Sequence, residues 1–130
     1  MDYRKIIDKL EHDLAHYLIN ELTKDDPSKR QSYEMYKYKG LTISANPRSK
    51  AQDKTVAVRI GSLEAEFKLG TGDKCNGSLA PAEERLVSIF FARSENASLA
   101  RKIFDEADAV REVAIVPFEL DDIFTQSTED

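Results

Sequence analysis

Residues 55–69, "TVAVRIGSLEAEFKL", alternate apolar and polar side chains through two runs separated by Gly61-Ser62. A period of two is the mark of a strand with one buried face. Val56, Val58 and Ile60 share one side of the first run, and Leu63, Ala65, Phe67 and Leu69 share one side of the second. Gly61-Ser62 suits a two-residue hairpin turn, with glycine supplying the positive φ. In that register Arg59 faces Glu64 across the strands, an opposite-charge pair on the polar side. The chain must therefore build an antiparallel sheet with one apolar face to cover and one charged face that stays wet.

The cover is expected from helices. Ile6, Ile7, Leu10, Leu14, Tyr17, Leu18 and Leu22 recur at three- and four-residue steps, which predicts an amphipathic helix over about residues 2–24. "KDDPSKR" ends it, because Pro27 cannot continue a helix and disfavours helix at Asp26. "PAEERLVSIFFAR" reads as a second helix, with Pro81 at its first position and Glu83 and Glu84 at its positive end. "NASLARKIFDEAD" reads as a third, with Leu99, Ala100, Ile103, Phe104 and Ala107 on one stripe.

Ahead of the hairpin, "YEMYKYKGLTISAN" reads as one strand bent by a bulge at Gly40. The bulge brings Tyr36, Tyr38, Leu41, Ile43 and Ala45 to one face and leaves Lys37 and Lys39 on the other. A hairpin turn at Lys39-Gly40 is the rival reading. "EVAIVPF", residues 112–118, reads as a fourth strand, with Pro117 pointing to a sheet edge. Residues 118–130 read as an acidic tail that frays. The expected order is α-β-β-β-α-α-β. The fold class is α+β: an antiparallel sheet of three to four strands with helices packed on one face, in a single domain over residues 1–130.

"GTGDKCNGSLAPAEERL", residues 70–86, has the strand–loop–helix setting of a phosphate site. Its letters do not complete one. Cys75 stands where a dinucleotide fingerprint needs its third glycine, and Ser78 stands where a Walker loop needs lysine. The expectation is a structural loop. Cys75, the single cysteine, excludes an internal disulfide, and with no adjacent base it reads as a packing residue rather than a nucleophile. "HDLAH" places His12 and His16 on one side of a helix, one residue away from a zinc-protease motif, with no third ligand in view. No cofactor, metal or catalytic residue is expected.

Charge is uneven. Residues 24–59 hold nine basic and four acidic side chains, whereas residues 60–130 hold seven and fifteen. The basic segment interleaves lysines and arginines with Tyr33, Tyr36 and Tyr38, a composition that suits phosphates and unstacked bases as well as acidic protein surfaces. The order α-β-β-β-α over residues 2–93 resembles that of the double-stranded-RNA-binding domain. That family grips phosphates with a lysine-rich start to the helix after the third strand. Here that position reads "SLAPAEER", with Glu83 and Glu84 in place of positive charge.

The opening "MDYRKIIDKLEHD" is too polar for a signal peptide, and no apolar run reaches membrane-spanning length. A cytoplasmic location with no membrane association is expected. The leading expectation is a non-enzymatic binding protein acting by protein–protein contact, as an adaptor, inhibitor or accessory factor. Phage-encoded proteins that modulate larger machines fit this profile. The expected interface is Lys37, Lys39, Arg59 and Tyr33. A nucleic-acid-binding module using residues 24–59 is the alternative, and an enzyme centred on Cys75 or the His12/His16 pair is the third reading. "FELDDIF", residues 118–124, mixes acidic with large apolar side chains, and either docks on a partner or folds back on the core.

Overall fold

The computed structural model describes residues 3–29, 34–45 and 54–106. The hairpin forms as its alternation dictates. Strand β2 (Thr55–Ile60) pairs antiparallel with β3 (Leu63–Lys68), with Ile60 opposite Leu63 and Arg59 opposite Glu64. Gly61 takes a φ of 65° in the turn. Arg59 donates to Glu64 Oε2 through Nη2 at 2.9 Å and through Nε at 3.2 Å. Strand β1 (Thr42–Ala45) flanks β2 and β4 (Lys74–Gly77) flanks β3, so the sheet runs β1-β2-β3-β4 as an antiparallel meander.

One face of this sheet is apolar and covered. Ile43, Val56, Val58, Ala65 and Phe67 are buried on it. Helix α1 (Tyr3–Leu22) buries Ile6, Leu10, Leu14, Ala15, Leu18 and Ile19, and packs on β1 and on helix α3 (Pro81–Ala92). Helix α3 presents Leu86, Val87, Phe90 and Phe91, and packs on β3. Residues 94–106 form a further helix, α4, whose Ala97, Ala100, Ile103 and Phe104 join the same core. The chain breaks between α3 and α4 at Arg93, which is extended. Asn96 is buried there and donates its Nδ2 to the Phe90 carbonyl at 3.0 Å, which also accepts the Arg93 N–H at the end of α3. The fold is the expected α+β architecture, with helices packed on one face of an antiparallel sheet.

Two elements differ from expectation. Residues Glu34–Lys39 are a short helix, α2, and not the first half of a bent strand. Gly40, at φ 84°, ends that helix. Its N–H donates to the Lys37 carbonyl, and the Leu41 N–H reaches back to the Tyr36 carbonyl, the bond pair of a Schellman cap. Tyr36 and Tyr38 therefore do not share a face. Tyr36 is buried and Tyr38 is exposed. The second difference is β4, which occupies the middle of what reads as a loop. It also breaks the α-β-β-β-α order, because a fourth strand intervenes before α3. The strand expected at residues 112–118, the tail at 118–130 and Tyr33 lie outside the described residues.

Val58→Asp places a carboxylate at a fully buried position in the centre of the covered face. It is expected to lower unfolding stability by more than about 3 kcal/mol, read from the urea midpoint. An unchanged midpoint would show that the covered face has been misassigned.

Candidate functional site

Helix α2 is held to the core by Tyr36, with Met35 packed beside it. Tyr36 is buried, and the carboxylate of Glu83 in the first turn of α3 stands beside its phenol. Burial, then the nearby charge of Glu83, push the phenol up to about 12. Glu83 Oε2 is buried with no hydrogen-bond partner among the described residues. The Lys39 ammonium lies 5.3 Å from the centre of the Tyr36 ring. Anchoring at Tyr36 leaves Lys37, Tyr38 and Lys39 exposed, and Tyr38 has 93% of its surface open.

The structure brings part of the expected interface together. Lys39 meets the β2–β3 turn, since its carbonyl lies 3.6 Å from where a Gly61 side chain would start. Arg59 stands two residues before that turn, but on the open face of the sheet and already paired with Glu64. Lys37 and Lys39 sit on a helix rather than on the polar face of a strand. Lys37 turns toward α1, where it lines a pocket of about 240 Å³ with Asp8, Glu11, His12, Ala15 and Leu41. Glu11 Oε2 accepts the Ile43 N–H at 2.8 Å and so fastens α1 to the outer edge of β1. Burial, opposed by that bond, raised by Asp8 and opposed by Lys37, leaves the Glu11 carboxyl above its ordinary value of 4.5. This pocket joins residues far apart in the chain, and no spacing motif points to it.

The glycine loop has a structural task. The Gly70 N–H donates to the Phe91 carbonyl, the Gly72 N–H to the Lys68 carbonyl, and the Asp73 N–H to Thr71 Oγ1. These amides are used within the protein. A side chain at Gly72 would start 1.9 Å from the Ser88 carbonyl oxygen, and one at Gly77 would start 2.2 Å from Ala65 Cα. The first glycine lets the loop press on the second half of α3, and the second lets β4 close on β3. The loop thus meets the negative end of the helix, not the positive end that attracts phosphate. Lys74 is paired with Glu84 at 3.1 Å.

Cys75 lies exposed on β4, with its sulfur 3.8 Å from the Asp73 carbonyl. His12 lines the pocket beside Leu41, which leads into β1 at the opposite edge of the sheet. Three strand spacings separate those edges, roughly 14 Å. The His12 and His16 rings stack with centres 5.8 Å apart, and His12 Nδ1 is 3.4 Å from Asp13 Oδ1. Among the described residues no group of three or more His, Cys, Asp and Glu side chains is placed to hold a metal ion. Among them, too, no helix is long and apolar enough to cross a membrane. No protein-family model, curated protein or solved structure matches this chain.

Gly72→Ala and Gly77→Ala are each expected to cost about 2–4 kcal/mol, since both combine a positive φ with a backbone clash. Gly40→Ala meets no atom within 4 Å and should cost only the backbone strain, about 1–2 kcal/mol. Equal costs in chemical denaturation would remove the packing role assigned to the loop. Cys75→Ser should stay within about 0.5 kcal/mol of the parent.

Tyr36→Phe removes a buried hydroxyl beside Glu83 and is expected to cost about 1 kcal/mol near neutral pH. A raised phenol pKa favours the neutral form in the folded state. Its contribution is therefore complete below pH 10 and is lost as pH rises toward 12. The wild type should lose stability across that window, and the phenylalanine variant should lose less. Parallel profiles would contradict the upward push that burial and Glu83 exert on the Tyr36 phenol.

Proposed function

We propose that this is a non-enzymatic cytoplasmic binding protein that works through protein–protein contact, as an adaptor, inhibitor or accessory factor of a larger assembly. The observation that supports this reading most is the α2 knuckle. Tyr38 is 93% exposed between Lys37 and Lys39, on a helix whose Tyr36 is buried. An exposed tyrosine on an anchored support offers a large, amphipathic contact area at little entropic cost, and such residues carry much of the energy in protein interfaces. The two flanking lysines favour a partner with an acidic surface. Arg59, paired with Glu64, adds little net positive field.

The same knuckle supports a second reading, in which Tyr38 stacks on an unpaired base while the lysines meet phosphates. Glu64 and Glu66 on the neighbouring strand weaken the field that nucleic acid would require.

A pull-down with the intact protein identifies the partner, and binding kinetics then test the surface. Lys37→Glu combined with Lys39→Glu should slow association and flatten its salt dependence. Tyr38→Ala should weaken binding by more than about 1 kcal/mol, roughly fivefold, mainly through faster dissociation. Its thermal unfolding should stay within about 0.5 kcal/mol of the parent. Wild-type kinetics in both variants would move the interface elsewhere. Salt-sensitive retention on heparin and nucleic acid, lost in the lysine variant, would replace the protein reading with the nucleic-acid one.

A further inference from the structure

The pocket between α1, α2 and β1 has a composition that the protein-contact reading leaves unused. Asp8 and Glu11 stand one turn apart on α1, the spacing that brings helical side chains together. Both line the pocket. Glu11 is positioned by the sheet and not by its own flexibility, because Oε2 accepts the Ile43 N–H at 2.8 Å. That bond occupies one of its two oxygens. Ala15 and Leu41 supply apolar wall, His12 supplies a flat ring, and Lys37 stands among them on α2.

We propose that this pocket binds an organic cation, a guanidinium or alkylammonium group carried on a short aliphatic stem. Three features select that class. The two carboxylates outnumber the single ammonium of Lys37, which suits one cationic head. The carboxylate of Glu11 is half-buried, with one hydrogen bond from the backbone, so a cation entering the pocket restores part of the solvation lost on folding. The apolar wall suits an alkyl stem, and an imidazole face suits a planar guanidinium. A volume of about 240 Å³ admits such a group. It falls below the roughly 300–1,000 Å³ typical of sites for drug-sized ligands, so a large cofactor does not fit the description.

This inference does not rest on the protein-contact reading, and Lys37 separates the two. In partner binding Lys37 is an attractive charge, whereas in the pocket it repels the ligand.

The probe is N-acetyl-arginine amide, which carries one positive charge, set against N-acetyl-citrulline amide, its uncharged isostere. Titration of the full chain at low salt is followed by amide chemical shifts and by calorimetry. Saturable binding is expected with a dissociation constant on the order of 1 mM, which is what a ligand of this size supports. The shifts should centre on Asp8, Glu11, His12 and Leu41, and the citrulline probe should produce none. Glu11→Gln keeps an oxygen for the Ile43 N–H and removes the charge, so the fold is retained and affinity should fall about tenfold. Asp8→Asn should weaken binding by a smaller factor. Lys37→Ala should tighten it severalfold while slowing partner association. The proposal is overturned if both probes bind alike, if arginine amide shows no saturable binding at ten times the expected constant, or if a folded Glu11→Gln protein binds as the parent does. Binding of acetate that Lys37→Ala abolishes would also overturn it, since the site would then be one for anions.

Discussion

The β2–β3 ladder is the contact on which the other contacts depend. It pairs six residues of one strand with six of the next and turns Val56, Val58, Ala65 and Phe67 to the same side. In a meander each further strand takes its register from the one before. Ile43 opposite Val58 and Gly77 opposite Ala65 thus inherit their faces from the hairpin. A slip of one residue would exchange the apolar set for Arg59, Glu64 and Glu66. The Arg59–Glu64 pair, bonded through two guanidinium nitrogens, opposes such a slip from the wet side.

Around that ladder, close approaches are handled by particular side chains or by their absence. The outer edge of β1 would present the Ile43 N–H as a template for another strand, and Glu11 covers it with a carboxylate. Edge strand β4 has only four residues, and a short edge is a weak template. Gly72 and Gly77 stand where main chains meet too closely for any side chain. A run that looks chemical in sequence, glycines with a lysine and a cysteine, is accounted for by packing, hydrogen bonds within the protein and one ion pair.

The polar surface divides at α2. Tyr36 points inward to Glu83 and couples the short helix to α3, so Lys37, Tyr38 and Lys39 are presented from a firm base. A six-residue helix has little stability of its own, and its position depends on that anchor and on the Schellman cap at Gly40. The knuckle and the adjoining pocket share Lys37 but differ in character, one projecting and positive, the other recessed and acidic on balance.

The hairpin, its turn, the Arg59–Glu64 pair, the apolar stripes of α1 and α4 and the start of α3 at Pro81 were legible in the sequence. Each follows from a local period or a local cap, which a run of ten to twenty residues contains in full. Residues 34–39 were misread because alternating tyrosines fit a strand and a helix equally over so short a stretch, whereas the strand at 42–45 was expected. The choice falls to Tyr36 meeting Glu83, a residue far along the chain. Strand β4 was hidden for a related reason: its four residues are all exposed and carry no apolar alternation, and only the backbone of β3 makes them a strand. Of the candidate site, the lysines were visible as charge, whereas the exposure of Tyr38, the edge-covering bond of Glu11 and the pocket beside Lys37 were not. The sequence by itself determined which faces are apolar, because side-chain direction repeats with the backbone. Which polar groups meet across those faces was decided by the tertiary structure alone, because such meetings depend on how separate elements pack in space.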